Sequence, residues 1–545
     1  MKKNIQEEII SLIKDSLSAL TDDPNLTSGV MLDLPQEERF GDFSTNIAMR
    51  LSKPLKLPPN QIALKVISSF NSCLNKSRIK DYISEVKVEG AGFINFYLSN
   101  KYLYDSLRSI LEEGSSALRF DLGKQKPVLI EFVSANPTGP LSVAHARQAA
   151  VGDALANILE FSGFKPSREY YLNDEGNQIA ILGRSVELRM KELSGEAIDF
   201  PQEYYQGSYI YDIAKDALKK NTPLVELGDF AAGQILSTIK DELEDFGVKF
   251  DCWYSQKELG KSNKIVLAFD KLRKKGYLYE KDKALWFKST SFGDDKDRVV
   301  VKSDGAYTYL APDIAYHDDK YGRGFKWLIN LWGPDHHGYM NRVKAAVSAF
   351  DRDSETLSIL IVQLATIFRA GKPVQMSTRK GEYITLKEVL EEVGKDAARF
   401  FFISRRISSH LDFDLDIAKK QTSENPVYYV QYAHARICSI LHNSPGKLGK
   451  NIDFNLLVEK EEIILIRKLL QFSWVLNICL STLDPYMMTI YLQELSEAFH
   501  KFYDNHRVLT DEPALTQARL ALISGVKIVI ATGLSLLGIS SPEKM

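Results

Sequence analysis

The sequence has 545 residues, of which 44% are apolar and 26% are charged, and its 69 Lys and Arg nearly balance its 71 Asp and Glu. This length predicts roughly three or four domains, and the composition is ordinary for a soluble globular protein. The near-zero net charge means that any surface for nucleic acid must be a local basic patch rather than a field around the whole molecule.

Residues 1–105 are predicted to form a small α+β domain. Apolar residues recur with helical spacing from residue 5 to residue 17, and acidic residues interrupt the run, which favours an amphipathic helix over a signal peptide. Further along, YISEVKVEGAGFINFYL alternates between apolar and polar residues as strands do.

Residues 106–415 alternate short apolar strands with longer helical stretches. VLIEFVS (128–134) and WLINLW (327–332) each precede a helix. This alternation predicts a Rossmann-like α/β domain with a doubly wound parallel sheet. Residues of about 175–260 have helical spacing and are interpreted as an insertion into that domain.

Residues 416–545 show helical periods without evident strands and are predicted to form an α-helical bundle. One stretch, 520–540, is long enough to span a membrane, but Lys527 near its middle would cost about 2.5–3.5 kcal/mol there. A buried helix is therefore favoured.

The cysteines favour a reduced, cytoplasmic protein. They form no C-x-x-C pair, which argues against structural zinc and against a disulfide framework. The sequence positions are Cys73, Cys252, Cys438 and Cys479.

The segment VLIEFVSANPTGPLSVAHARQAAVGDAL runs from a strand through a turn into a helix that opens near Ser142. A helix N-terminus at the carboxyl edge of a parallel sheet attracts anions. Ser142 and His145 lie three residues apart on one helical face, where both could reach a phosphate. The alternative is a capping Ser with a surface His.

This segment resembles the His-x-Gly-His signature of class I aminoacyl-tRNA synthetases, and the run SANPTGPLSVAHARQAAVGDAL resembles arginyl-tRNA synthetases in particular. His145 matches, whereas Ser142 replaces the first His and Ala144 replaces the Gly. The resemblance implies that ATP binds at Gly139, Ser142 and His145, with Ser142 and His145 contributing to catalysis.

Two carboxylates suggest a pocket for a cation. Glu131 lies within the apolar VLIEFVS, where a buried carboxylate needs a cation or donors, although an edge strand facing water is the alternative. Asp313 lies in the first turn of a helix that is expected to follow a strand through Leu310, where an ordinary first-turn acid that interacts with the helix dipole is the alternative. The resemblance assigns Glu131, Asn136, Tyr309 and Asp313 to the arginine substrate, whose guanidinium pairs bidentately with carboxylates.

The segment FRAGKPVQMSTRKGEYITL (368–386) is bounded by glycines and rich in cations, as is suitable for a loop that closes over a triphosphate. A solvated basic loop is the alternative. Its position matches the Lys-Met-Ser-Lys loop of class I synthetases, in which Met376 and Ser377 agree and Gln375 and Thr378 replace the lysines. We expect Met376 and Ser377 to contact ATP and Arg379 or Lys380 to supply catalytic charge.

Two further segments are assigned by the resemblance. His336, just after WLINLW, falls on the adenosine side of the ATP site. Tyr428 and Tyr432 begin the C-terminal helices and could stack on unpaired tRNA bases, although core packing is the commoner role of such tyrosines.

The implied activity is that of an arginine–tRNA ligase that uses ATP with Mg²⁺ as a substrate complex, without a structural metal. The expected partners are tRNA(Arg), L-arginine and ATP, and the expected state is a cytoplasmic monomer. Three alternatives stay open: a class I enzyme for another cationic amino acid such as lysine, a non-catalytic RNA-binding relative, and a small-molecule nucleotidyltransferase.

Overall fold

The structure, a computed structural model, describes residues 5–374 and 383–545, except residues 19, 22, 36, 445, 447 and 450. The chain divides into two compact units. The first comprises residues 1–118, 441–471 and 498–528, and the second comprises residues 119–440, 472–497 and 529–545.

Twenty α-helices and fourteen strands are found in the described residues. The helices are α1 Ile5–Leu17, α2 Pro24–Ser28, α3 Ile47–Leu55, α4 Pro59–Leu74, α5 Asn100–Glu113, α6 Val143–Phe161, α7 Asn177–Leu193, α8 Tyr209–Lys220, α9 Leu227–Asp245, α10 Gln256–Lys261, α11 Lys264–Lys274, α12 Leu310–Gly322, α13 Met340–Ala349, α14 Leu386–Ile403, α15 Leu415–Ala418, α16 Pro426–His442, α17 Lys460–Leu470, α18 Phe472–Thr482, α19 Tyr486–Asn505 and α20 Pro513–Leu536. The strands are β1 Phe43–Thr45, β2 Ile83–Glu89, β3 Phe93–Leu98, β4 Pro127–Glu131, β5 Lys165–Leu172, β6 Cys252–Ser255, β7 Leu278–Lys281, β8 Ala284–Phe287, β9 Arg298–Val301, β10 Trp327–Trp332, β11 Leu357–Ile361, β12 Ala365–Arg369, β13 Lys372–Pro373 and β14 Leu411–Asp414.

The first unit contains an antiparallel sheet in the order β1-β3-β2. Helices α1 and α4 share one apolar core with this sheet, in which Phe70 and Phe96 pack edge to face with ring centroids 5.1 Å apart. The α+β character predicted for the N-terminal region is confirmed.

The second unit is built around a five-stranded parallel sheet in the order β11-β10-β4-β5-β6. The chain proceeds from β4 towards β6 on one side and from β10 to β11 on the other, so the strand order reverses between β4 and β10. The doubly wound sheet predicted from the sequence is confirmed. In such sheets, ligands bind at the carboxyl ends of the strands where the order reverses.

Helix α6 follows β4 and packs closely on the sheet. Its small residues allow this approach, and a Cβ atom at Gly152 would collide with the Phe132 ring. The N-terminus of α6 therefore lies next to the carboxyl end of β4.

Two strand boundaries differ from the sequence prediction. Strand β4 ends at Glu131, because Val133 and Ser134 have φ values of 67° and 42°, in the left-handed region that a strand cannot use. The predicted strand through Leu310 is wrong. The chain turns at Gly305 (φ 86°), where Lys302 N–H donates to the Ala306 carbonyl, and α12 begins at Leu310.

Helices α7, α8 and α9 lie within the segment predicted as a helical insertion, and helices α16–α20 make up the C-terminal region, as predicted. Two stretches of described residues, Lys460–Thr482 and Pro513–Leu536, are long and apolar enough to cross a membrane by length and composition alone. In the most apolar part of Pro513–Leu536, 72% of the residues are buried, as is typical of a core helix.

Candidate active site

The N-terminus of α6 fixes the state of His145. The backbone N–H of Ser142 donates to His145 Nδ1 at 3.2 Å, and the Ser142 hydroxyl lies at the same distance from Nδ1. Because a backbone N–H can only donate, Nδ1 accepts and the ring proton is on Nε2. Burial lowers the pKa of His145 to about 4, although Asp335 opposes the shift. His145 is therefore a neutral hydrogen-bond donor at pH 7.

The turn before α6 is held by two tyrosine hydroxyls. Tyr209 donates to the Thr138 carbonyl at 2.6 Å, and Tyr383 donates to the Pro140 carbonyl at 3.0 Å. A Cβ at Gly139 would lie 3.0 Å from the first hydroxyl and 3.2 Å from the second. Glycine at this position thus has a packing reason that is independent of any nucleotide.

The cation-rich loop predicted to close over the triphosphate includes Gln375, Met376, Ser377, Thr378, Arg379 and Lys380, which lie outside the described residues. Its exit is described. Leu386 N–H donates to the Leu141 carbonyl at 2.8 Å, and Thr385 forms an isolated antiparallel bridge with Ser142. The chain leaving the loop is therefore hydrogen-bonded to the start of α6.

Glu131 is buried at the end of a central strand, with 6% of its surface exposed, so the edge-strand alternative is wrong. A cation is already present: Lys320 Nζ lies 2.5 Å from Glu131 Oε2, and Lys320 is fully buried. The Ser134 hydroxyl donates to Oε1 at 3.1 Å. Sequence reasoning missed Lys320, although its spacing of seven from Asp313 places both on one face of α12.

A second ion pair lies beside the first. Glu169 of β5 is opposite Glu131 in the sheet register, and it accepts from Arg323 at 2.9 Å and from the Tyr316 hydroxyl at 2.6 Å. The Lys320 ammonium lies 4.1 Å from the centre of the Tyr316 ring. Lys320 in the last turn of α12 and Arg323 just after it thus neutralise two carboxylates on neighbouring strands of the sheet.

Asp313 lies close to these groups. It accepts from the Tyr339 hydroxyl at 2.7 Å, and burial raises its pKa to about 6, to which the nearby Glu131 contributes. The two predicted carboxylates therefore interact. Tyr309, just before α12, is 79% exposed and is open to a ligand.

Asn136 and His336 are more exposed. The Asn136 amide donates to Gln178 Oε1 at 2.7 Å, which fixes its orientation. His336 follows β10 in a short 3₁₀ helix and lies 3.4 Å from the Asp335 carboxylate. Asp335 also acts on His145, so this segment faces the start of α6.

Glu242 of α9 was missed by the sequence reasoning. Its buried carboxylate lies beside the backbone of Leu141, and burial raises its pKa to about 7. An isolated acidic residue inside a helical segment gives no sign of such a contact. Glu242 therefore belongs to the support of the turn before α6.

Tyr428 and Tyr432 stack on each other along α16, with ring centroids 6.0 Å apart and an interplanar angle of 9°. Both are half-buried. The Arg436 guanidinium lies 5.0 Å from the centre of the Tyr432 ring. Tyr428 also lines a cavity of about 550 Å³ with residues 392–397 and 418–421.

Three family descriptions match the chain: "Arginyl tRNA synthetase N terminal domain" at residues 7–98, "tRNA synthetases class I (R), catalytic domain" at residues 106–405 and "DALR anticodon binding domain" at residues 430–545. The chain is 44% identical over 560 residues to the arginine–tRNA ligase of Geobacter sp. (strain M21), covering 99% of this chain and 100% of that protein. It is 44% identical over 561 residues to that of Geobacillus thermodenitrificans, covering 100% and 99%. The structure of Thermus thermophilus arginyl-tRNA synthetase is similar in fold, with a TM-score of 0.80 at 22% identity, over 99% of this chain and 100% of that one.

Proposed function

Because the chain belongs to the arginyl-tRNA synthetase family, we propose that Glu131, Asn136, Tyr309 and Asp313 bind L-arginine while the start of α6 binds ATP. The chain is a ligase that activates L-arginine with ATP and transfers it to the terminal ribose of tRNA(Arg). The observation that carries the assignment is the chain of hydrogen bonds that links Glu131, at the end of β4 where the strand order reverses, to Asp313 at the start of α12.

The reaction needs positioning and charge stabilisation rather than a covalent enzyme intermediate. The arginine carboxylate attacks the α-phosphate and pyrophosphate leaves. A hydroxyl of the terminal ribose then attacks the carbonyl carbon of the adenylate, and AMP leaves as the ester forms. In this proposal, Asp313 pairs with the guanidinium, and Tyr309 covers its exposed side. The Asn136 amide, oriented by Gln178, contacts the same substrate.

On the ATP side, we propose that His145 donates from Nε2–H to a phosphate oxygen. A neutral donor that is already oriented stabilises developing charge without reorganisation. Ser142 adds its hydroxyl, Gly139 keeps the turn narrow, and His336 lies on the adenosine side. The support is the hydrogen bonding of the α6 start and the Coulombic link between Asp335 and His145.

The loop assignment concerns Met376, Ser377, Arg379 and Lys380. We propose that the first two contact ATP and that the two cations stabilise the leaving pyrophosphate. The hydrogen bond from the Leu386 N–H to the Leu141 carbonyl supports it, since it tethers the loop exit to the ATP side. If Lys380→Ala and Arg379→Ala both left pyrophosphate exchange unchanged with tRNA present, this assignment would be abandoned.

For tRNA, we propose three functional regions: 1–105 for tRNA contacts, 106–415 for catalysis, with the insertion at about 175–260, and 416–545 for anticodon binding. Tyr428 and Tyr432 offer aromatic faces for an unpaired base. Their support is the stacked, half-buried geometry of the two rings, with Tyr432 inside the region matched by the anticodon-binding family (residues 430–545) and Tyr428 just before it.

We further propose that the enzyme works as a cytoplasmic monomer and receives Mg²⁺ with ATP. Among the described residues, no group of three or more His, Cys, Asp and Glu is arranged to hold a metal ion. In this proposal the Mg²⁺ ion enters bound to the ATP phosphates, as part of the substrate complex. Size-exclusion chromatography with light scattering tests the monomer, which a dimer mass would contradict.

The test of the arginine pocket is Asp313→Asn. Loss of one charged partner of a buried guanidinium should raise the KM for arginine about 30- to 1000-fold while the KM for ATP changes little. Since the carboxylate must be ionised to bind, the parent kcat/KM for arginine should fall as pH drops below about 6, and the variant should lose this dependence. An unchanged KM for arginine in aminoacylation of tRNA(Arg) would contradict the pocket assignment.

A further inference from the structure

The carboxylate of Glu131 already has a cation of its own. Lys320 Nζ lies 2.5 Å from Glu131 Oε2, and both side chains are buried. The pair joins the end of β4 to the last turn of α12 over 189 residues of sequence. Glu131 therefore does not depend on the substrate for its neutralisation.

A directed chain of hydrogen bonds continues from Lys320 to Asp313. Lys320 donates to Asn330 Oδ1 at 3.1 Å, Asn330 Nδ2 lies 2.9 Å from His317 Nε2, and His317 Nδ1 lies 2.8 Å from the Asp313 carbonyl. A carbonyl can only accept, so the ring proton is on Nδ1 and Nε2 accepts from Asn330. Burial lowers the pKa of His317 to about 3, which keeps the ring neutral. Each link thus has one possible direction.

These contacts set the charge of the pocket. The charges of Glu131 and Lys320 cancel, and His317 is neutral. Asp313 has the Tyr339 hydroxyl, and not a cation, as its described hydrogen-bond partner, so its negative charge is not cancelled. A guanidinium carries one positive charge, so a group with one net negative charge matches it. An arrangement with both carboxylates uncompensated would carry a large cost of burial.

We propose that Lys320 is a positioning and specificity-determining residue of the arginine pocket, which cancels the charge of Glu131 and fixes its carboxylate relative to Asp313. This inference rests on the proposed assignment of Glu131 and Asp313 to the arginine substrate. Lys320 acts through Glu131 and Asn330 rather than by touching the substrate.

The test is whether substitutions of Glu131 and Lys320 offset each other in their effect on the KM for arginine. Lys320→Met leaves Glu131 buried without a cation, and Glu131→Gln leaves Lys320 buried without an anion, next to the substrate guanidinium. Each change alone should raise the KM for arginine at least about 10-fold. In the double variant E131Q/K320M, neither unpaired charge remains, so its KM should be at least about 5-fold lower than that of E131Q.

The measurement is aminoacylation of tRNA(Arg) by the full chain at saturating ATP, with thermal unfolding to establish that each variant is folded. The matched control is Lys271→Met. It removes an exposed ammonium of α11 that lies 2.5 Å from Asp318 of α12, the helix that carries Lys320, and it should keep the parent KM for arginine. If K320M does not fold, the comparison of E131Q with E131Q/K320M decides the question, since the double variant contains no unpaired member of this ion pair.

The inference is overturned if E131Q/K320M has the same KM for arginine as E131Q or a higher one. It is also overturned if folded K320M has the parent KM, because Lys320 would then be only structural. A different experiment tests the assignment of Glu131 and Asp313 to the arginine pocket. If Asp313→Asn does not change the KM for arginine, that assignment is wrong, whatever the Lys320 variants show.

Discussion

The protonation state of His145 follows from its place on the helix rather than from its residue type. The Ser142 backbone N–H occupies Nδ1, and burial lowers the pKa to about 4. A protonated imidazole would lose the Ser142 hydrogen bond and carry a buried charge. The residue therefore contributes a directed N–H at Nε2 and no charge, which distinguishes it from the cations of the loop.

This geometry predicts different effects for two substitutions at His145. The amide of Asn reaches the position of Nδ1 and can keep the Ser142 contact, whereas the amide of Gln reaches the position of Nε2. We expect His145→Asn to lower kcat about 100- to 1000-fold, as for loss of one donor to a developing charge, and His145→Gln to lower it less. Pyrophosphate exchange with tRNA present measures both.

The control is the pH dependence of kcat in the parent enzyme. With a pKa of about 4, His145 keeps one protonation state from pH 6 to pH 8, so it should add no step in that range. A step near pH 6.5 that disappears in His145→Gln would contradict the neutral state. Equal losses in the Asn and Gln variants would contradict the role of Nε2.

Single residues also show what a sequence can and cannot predict. His145, Glu131 and Asp313 could be proposed from the sequence because their signals are local (a turn, a helix start, an acid within an apolar strand) and because these segments resemble a known family. Lys320 could not be paired with Glu131, because 189 residues separate them. The strand order that places α12 beside β4 cannot be deduced from the sequence of either segment. The tautomers of His145 and His317 are set instead by local contacts, with the Ser142 backbone N–H and the Asp313 carbonyl, that exist only once the helices have formed.

At the scale of elements, α6 is held by Arg147, two residues after His145. Its guanidinium is fully buried and donates to the carbonyls of two connecting segments, at 2.8 Å to Gln363, 3.0 Å to Arg406 and 2.9 Å to Ser409. Burial lowers the pKa of Arg147 to about 10, so the side chain stays charged at pH 7. Because residue 363 leads into β12 and on towards the loop, Arg147 fixes the α6 start relative to the chain entering the loop.

Arg147→Lys should therefore destabilise the fold although the charge is kept. Lys has three donors on one atom and cannot span two segments, so buried carbonyls lose their partners, at a cost on the order of 3 kcal/mol. We expect a lower thermal midpoint and a raised KM for ATP at temperatures where the variant is folded. The matched control is Arg184→Lys on an exposed position of α7, and a midpoint shift no larger than in this control would contradict the prediction.

Helices and strands could be predicted where the spacing of apolar residues within a single segment is clear. Strands β4 and β10 and helix α6 have patterns that stand out in the sequence. The strand expected through Leu310 failed because apolar and aromatic residues there start a helix after a turn at Gly305, and a turn of this kind resembles an extended segment in composition.

At the scale of the molecule, the residues after α20 hydrogen-bond to catalytic helices within the second unit. Arg399 of α14 is fully buried, donates to the Leu537 carbonyl at 2.8 Å and pairs with Asp153 of α6 at 2.6 Å. Ser540 N–H donates to Asp396 at 3.2 Å. The region matched by the anticodon-binding family includes this terminal segment. These hydrogen bonds therefore join the end of that region to α6 and α14 of the catalytic region, and neither region reveals this structural support when its sequence is read alone.

Gly538 is the residue that permits this support. Its φ of 69° lies in the left-handed region, and a Cβ there would collide with the Arg399 guanidinium. Gly276→Ala is the matched control, because its φ of 74° is similar and no atom lies within 4 Å of the added Cβ. Any Gly→Ala change at such an angle costs about 1–2 kcal/mol of backbone strain. The difference between the two variants therefore isolates the collision.

We expect Gly538→Ala to lower the thermal midpoint clearly more than Gly276→Ala does. Arg399→Met should cost near the lower end of roughly 3–5 kcal/mol, since Asp153 keeps Arg168 at 3.1 Å as a second cation. Because Gly538→Ala acts by displacing the same guanidinium, adding it to Arg399→Met should lower the midpoint by no more than Gly276→Ala does. Equal shifts for the two glycine variants in the parent background would show that the terminal segment is not held through Arg399.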